Sequence, residues 1–200
     1  MRILLVLIVL LLSGPALAAD RLAHAMFAGG NFWSLQYAFA HVRGVDHTIA
    51  GYTGGIIANP SYTQVAKGDT GHRLAVMVFY DPRIITYEQL LVIYWHNIDP
   101  LDAKGQFCDR GPQYTTAIYY ETDAQRYAAF QSKSLVEADS ARMNDQRAAP
   151  VIMPAGAFYP AEGHHQGYFD KNPLRFKFYR NRCGRDQRLF DIWGKAHDGN

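Results

Sequence analysis

The mostly apolar stretch Leu22 to Ala28 runs straight into Gly29-Gly30, and that junction constrains the fold more than any other part of the chain. A short apolar run of this kind suits a buried strand, and paired glycines let the backbone turn sharply at its end. Asn31 is a strong helix N-cap, and Leu35, Ala38, Phe39 and Val42 then recur at the spacing that turns one helical face to a core, with Gly44 expected to end the helix.

The same logic extends along the chain. Val45 to Tyr52, Leu74 to Tyr80, Thr116 to Tyr120 and Val151 to Met153 read as further strands. Thr86 with Gln89 and Thr122 with Gln125 form capping boxes, which predicts a helix through Leu90, Leu91, Ile93 and Tyr94 and a longer one running to about Arg142. Two long polar loops, Thr53 to Thr70 and Asp99 to Gln113, separate these elements, and loops of that length in a compact domain usually carry function. From Phe158 onward the aromatic, histidine and arginine clusters lack periodicity, which predicts a short helix and a tail laid over the domain. The element order implies an α+β fold, a ferredoxin-like two-layer α/β sandwich with long loops and an irregular C-terminal tail.

At 200 residues and 48% hydrophobic composition the chain has material for one core, so residues 19–200 are expected to form a single domain. A net charge of +2 with acids and bases interspersed argues against nucleic acid or an anionic membrane as partner. Met1-Arg2, the apolar run Ile3 to Leu12 and the Ala16-Leu17-Ala18 site have the layout of a secretory signal over residues 1–18. The run is shorter than the roughly 20 residues of a membrane-spanning helix. A secreted or periplasmic protein, with no stable membrane insertion after cleavage, is the expectation. Cys108 and Cys183 both fall in the mature part, and the sequence leaves open whether they pair.

Six separated segments carry a resemblance. They are Phe27-Ala28-Gly29-Gly30 before Phe32-Trp33, Gly51-Tyr52-Thr53-Gly54-Gly55, Asn59-Pro60-Ser61-Tyr62, Thr70-Gly71-His72, Asp109-Arg110-Gly111-Pro112-Gln113-Tyr114 and Phe158-Tyr159-Pro160-Ala161-Glu162. In this order and spacing the chain resembles the peptide-methionine (S)-S-oxide reductases from about Ala25 to Trp193. The resemblance implies a thiolate at the first helix N-terminus that attacks the sulfoxide sulfur, and a buried acid that protonates the departing oxygen. A second cysteine on the tail then forms a disulfide that a thioredoxin-like reductant opens, without a cofactor or metal. It also implies that Phe32 and Trp33 wall the substrate methyl group, that Tyr62 and Tyr114 hold the sulfoxide oxygen, and that Asp109 is the nearby carboxylate.

Against that pattern the chain departs at the chemistry itself. Asn31 stands at the nucleophile position, and a carboxamide can neither attack sulfur effectively nor pass through a sulfenic acid. Leu74 stands where the resemblance places the acid after Gly71-His72, and Ser34 where some relatives hold a further cysteine. Cys183, between Arg182 and Arg185, matches the recycling cysteine. Both changes favour stability: Asn caps a helix, and an apolar side chain replaces a desolvated acid. His164, His165, His72 and Cys183 show no metal-ligand spacing, and polar anchoring of loops is their plain reading.

The resulting expectation is a protein that keeps a pocket for methionine sulfoxide in peptides or proteins and has little or no reductase activity. The alternatives are an active reductase using Cys183, with a thioredoxin-like partner, and a non-catalytic protein-binding domain whose pocket is unused.

Overall fold

The computed structural model describes residues 22–139, 143 and 146–194. The signal read over residues 1–18 lies outside them. A six-stranded sheet forms the centre, in the order β7-β6-β1-β3-β2-β8. Its strands are β1 (Ala23–Gly29), β2 (Val45–Thr53), β3 (Arg73–Tyr80), β6 (Thr116–Tyr120), β7 (Val151–Pro154) and β8 (Phe158–Pro160). β4 (Gly105–Gln106) and β5 (Asp109–Arg110) make a separate two-stranded ribbon. β1 pairs antiparallel with β3 and β6, β3 and β8 pair antiparallel with β2, and β7 joins β6 in parallel. The mixed α/β class expected from the element order is thus present, with a sheet two strands wider than four.

The helices follow from capping and burial. In α1 (Phe32–Ala40) the Asn31 side chain accepts the Trp33 N–H. In α3 (Tyr87–His96) Thr86 and Gln89 close the expected box. α4 (Asp123–Glu137) starts on Thr122, which accepts the Gln125 N–H, but the second half of that expected box is not made. The Gln125 amide instead accepts the Glu121 N–H at 2.8 Å and donates to the His24 carbonyl at 2.8 Å, tying the helix to β1. The helix stops at Glu137, and the expected end at Arg142 lies outside the described residues.

Three expectations are corrected. α1 ends at Ala40, with His41 as its cap, and Val42 and Gly44 belong to the turn into β2. The first polar loop contains α2 (Tyr62–Ala66), held by a Ser61–Gln64 capping box. The tail holds three helices rather than one: α5 (Tyr168–Lys171), α6 (Pro173–Arg182) and α7 (Arg185–Trp193).

The main core lies between the sheet and α1 and α3. Phe27 stacks on Phe39 at 5.3 Å and on Tyr94 at 5.1 Å between ring centroids, and all three are fully buried. Aromatic side chains of this size contribute most of the burial free energy of such a core. Packing around Phe27 at the middle of β1 fixes where its C-terminal end, Gly29-Gly30, emerges.

Candidate functional site

The site is assembled on that end of β1. Gly30 has φ +80°, and a Cβ there would lie 2.5 Å from the Gln106 Cβ, so the turn needs glycine for both backbone and space. The turn delivers Asn31, only 4% exposed, to the helix N-terminus, where its Oδ1 accepts the Trp33 N–H at 2.8 Å. One of the orphan N–H groups of the first turn is thereby satisfied.

Phe32 and Trp33, expected from the resemblance to wall the substrate, pack into a common aromatic cluster. Phe32 is fully buried, 6.1 Å from the Tyr62 ring and 5.3 Å from the His165 ring. Trp33 lies flat on Tyr168 at 3.8 Å, and its indole N–H donates to His165 Nδ1 at 3.2 Å. That bond assigns the remaining ring proton of neutral His165 to Nε2, a buried atom without a partner among the described residues. Burial, helped by the neighbouring His164, holds the His165 pKa below the ordinary range and keeps the ring neutral.

Tyr62 and Tyr114 lie close to one another, and burial together with Tyr114 raises the Tyr62 pKa, keeping its phenol protonated. Glu162 braces this wall: its Oε1 accepts the Tyr62 N–H at 2.8 Å and its Oε2 accepts the Tyr52 hydroxyl at 2.7 Å. Burial pushes the Glu162 pKa up, but these bonds outweigh it and lower the value, so the carboxylate stays ionised. Leu74, fully buried, pairs with Tyr52 across β2 and β3 and shares the core cluster of Phe32, Tyr52 and Val65. Ser34 is fully buried one turn into α1.

The tail closes over these groups. Cys108, beside β5, and Cys183, at the end of α6, form a disulfide with Cα atoms 5.0 Å apart. Between them Tyr179 donates its hydroxyl to Asp109 Oδ2, lies near the Asn31 side chain, and sets its ring edge-on to Trp33 at 6.0 Å. Burial raises the Asp109 pKa against the opposing pull of Tyr179, Arg185 and Arg110, so this carboxyl holds its proton more tightly than an exposed aspartate. Arg185 is 2% exposed, its guanidinium 4.3 Å over the Phe107 ring and bonded to the Asn97 carbonyl, and burial lowers its pKa to about 9. Among the described residues no three His, Cys, Asp or Glu side chains converge to hold a metal ion.

Residues 23–197 match the family model described as peptide methionine sulfoxide reductase. The chain belongs to that family. A relative named peptide methionine sulfoxide reductase MsrA from Halalkalibacterium halodurans is 43% identical over 88% of this chain and 98% of its own length. One named MsrA 2 from Caulobacter vibrioides is 44% identical over 91% of each. The solved methionine sulfoxide reductase A of Corynebacterium diphtheriae superposes with a TM-score of 0.73 at 32% identity, covering 78% of both chains.

Within this family frame, the residues singled out on the reductase resemblance lie around one turn and one stretch of tail. Phe32, Trp33, Tyr62 and Tyr114 form a connected wall, and Asp109 reaches Asn31 through Tyr179. Sequence reasoning missed His165, Tyr168, Tyr179 and the bracing role of Glu162. The Phe158–Glu162 motif marked the neighbourhood of His165 and Tyr168, but nothing in the sequence pointed to Tyr179.

Proposed function

We propose that this family member is an exported protein that retains a pocket for the methionine sulfoxide side chain and lacks effective reductase chemistry. The observation that carries this reading is Asn31: a carboxamide engaged as a helix cap occupies the turn where the resemblance requires a thiolate, while both cysteines of the chain are consumed in one disulfide. Leu74 supports it, because a fully buried leucine offers no proton to a departing oxygen. The retained wall supports binding: Phe32 and Trp33 present apolar faces for an S-methyl group, and Tyr62 and Tyr114 hold hydroxyls for an S–O oxygen. Export is supported by the layout of residues 1–18 and by a disulfide that suits an oxidising compartment.

A second reading is favoured by one feature. Cys108 adjoins Asp109, a carboxyl whose pKa burial raises, so a reduced Cys108–Cys183 pair would have a carboxyl beside it that holds its proton more tightly than an exposed one. In that case Cys183 or its partner would serve as nucleophile and a thioredoxin-like dithiol as reductant.

A dithiothreitol-coupled assay on a chiral S-sulfoxide peptide separates the two. No turnover above buffer is expected for the wild type, with turnover gained in Asn31→Cys combined with Leu74→Glu. Wild-type turnover that disappears in Cys183→Ser would overturn the first reading in favour of the second. A protein that binds no sulfoxide peptide at millimolar concentration under either oxidising or reducing conditions would be a binding domain with an unused pocket.

A further inference from the structure

We propose that the Cys108–Cys183 disulfide is a redox latch that holds Tyr179 as a plug in the sulfoxide pocket, and that a dithiol reductant opens it. The inference rests on the pocket reading above and adds its regulation. Tyr179 does not lean on the outside of the site. Its hydroxyl donates to Asp109 and its ring sits edge-on to Trp33, so it fills space that a ligand seated against that edge of Trp33 would need.

Apart from the disulfide and the contacts of Tyr179, the helix is held by Phe176 and by Arg180, which pairs with Asp186 at 2.6 Å and lies 5.7 Å over the Tyr37 ring. In α6 only Phe176 is buried, against Tyr37 and Phe169, whereas Leu174 is 83% and Phe178 66% exposed. A helix with so little buried apolar surface opens at low cost once its end is untied. The following helix has its own anchors: Arg188 pairs with Asp99 at 2.7 Å and the Trp193 indole donates to the Ile98 carbonyl at 3.0 Å. Releasing the disulfide therefore frees the segment 173–183 between two fixed points instead of the whole tail.

The bond is also placed to be reached. Cys108 is exposed and Cys183 half-buried. A thiolate of an external dithiol attacks one sulfur and breaks the S–S bond, forming a mixed disulfide. Its second thiolate then displaces the remaining protein sulfur. The reductant ends as a disulfide and the protein as two thiols, with two electrons and two protons transferred.

The test compares oxidised wild type, dithiothreitol-reduced wild type, Cys108→Ser and oxidised Tyr179→Ala. Each is followed by hydrogen exchange of residues 173–183 and by titration with a methionine-(S)-sulfoxide peptide. Faster exchange in that segment on reduction, affinity at least tenfold higher in reduced than in oxidised wild type, and an oxidised Tyr179→Ala protein that binds like the reduced form are expected. Cys108→Ser should match the reduced protein without any reductant present. Equal affinity in oxidised and reduced protein would overturn the latch and leave the pocket reading standing. Faster exchange on reduction with no binding by any form would uphold the opening and overturn the pocket reading. Unchanged exchange with no binding would overturn both.

Discussion

Replacing Leu74 with glutamate tests whether this chain has exchanged an acid for stability. Leu74 is fully buried in the core cluster of Phe32, Tyr52 and Val65. A leucine buried to this degree contributes about 2–3 kcal/mol, which the shorter apolar stem of glutamate largely forfeits. The new carboxyl arrives where the nearest phenol across the strand pair, Tyr52, already donates to Glu162. An incompletely bonded neutral carboxyl adds a cost of about 1–3 kcal/mol. The sum, roughly 3–6 kcal/mol, is a large part of the 5–15 kcal/mol typical of a domain and corresponds to a melting point lower by about 6–24 °C.

A pH series sharpens this test. The buried glutamate would hold its proton more tightly folded than unfolded, so its penalty must grow as pH rises above the unfolded value of about 4.3, by up to about 1.4 kcal/mol per unit. Calorimetry of Leu74→Glu beside the wild type from pH 4 to 8 measures both effects. A variant melting within about 2 °C of the wild type at pH 7, with no added pH dependence, would refute the reasoning, since it would mean that a hydrated or hydrogen-bonded acid cavity is still present.

Other substitutions isolate the remaining parts of the site. Asn31→Ala removes the acceptor for the Trp33 N–H and should cost about 1 kcal/mol, or roughly 2–4 °C; Asn31→Asp, which keeps an acceptor at the helix N-terminus, should lose much less. Asp109 has its pKa raised by burial, so the folded state binds this proton more tightly and stability falls as pH climbs from the unfolded value of about 3.9 through the folded one; Asp109→Asn should flatten that part of the urea-unfolding profile, and an unaltered profile would contradict it. Reducing the disulfide, which closes a 75-residue separation, should lower stability by about 4 kcal/mol on chain-entropy grounds, read as a lower melting point in dithiothreitol that Cys183→Ser reproduces without reductant.

What the sequence reveals and what it hides divides along physical lines. The strand, the glycine turn and the capped first helix were legible because apolar runs, positive-φ glycine and Asn capping act within a few residues. The central strands were legible for the same reason. α2 was overlooked although Ser61 and Gln64 spell a capping box, because only Val65 of its five residues is buried and no apolar stripe announces it. β8 escaped because it is a three-residue edge strand ending in Pro160 and paired only with β2. Where the sequence predicts one short helix and an irregular tail, the three helices present are hard to read because each is short and buries few side chains: Phe169, then Phe176, then Arg185 and Leu189. The site residues there depend on docking over more than a hundred residues of intervening chain: Trp33 meets His165 across 132 positions, and no local pattern records such a meeting.

That docking changes what the asparagine means. Taken as a missing nucleophile, Asn31 is a loss, and its capping bond to Trp33 accounts for only one end of its side chain. The other end is the amide group, which lies near the Tyr179 hydroxyl that donates to Asp109 Oδ2 and is the group able to donate to it. A thiol in its place would be a weak donor, and a thiolate none at all. Asn31 therefore fits the closed arrangement better than the residue whose position it occupies, and the disulfide fastens the helix that completes it. In this arrangement the carboxamide that cannot attack a sulfoxide helps keep the pocket shut. Asn31→Cys should then both restore a nucleophile and loosen Tyr179. Faster hydrogen exchange of residues 173–183 in oxidised Asn31→Cys than in oxidised wild type is the expected mark, and equal exchange would confine Asn31 to its role as a cap.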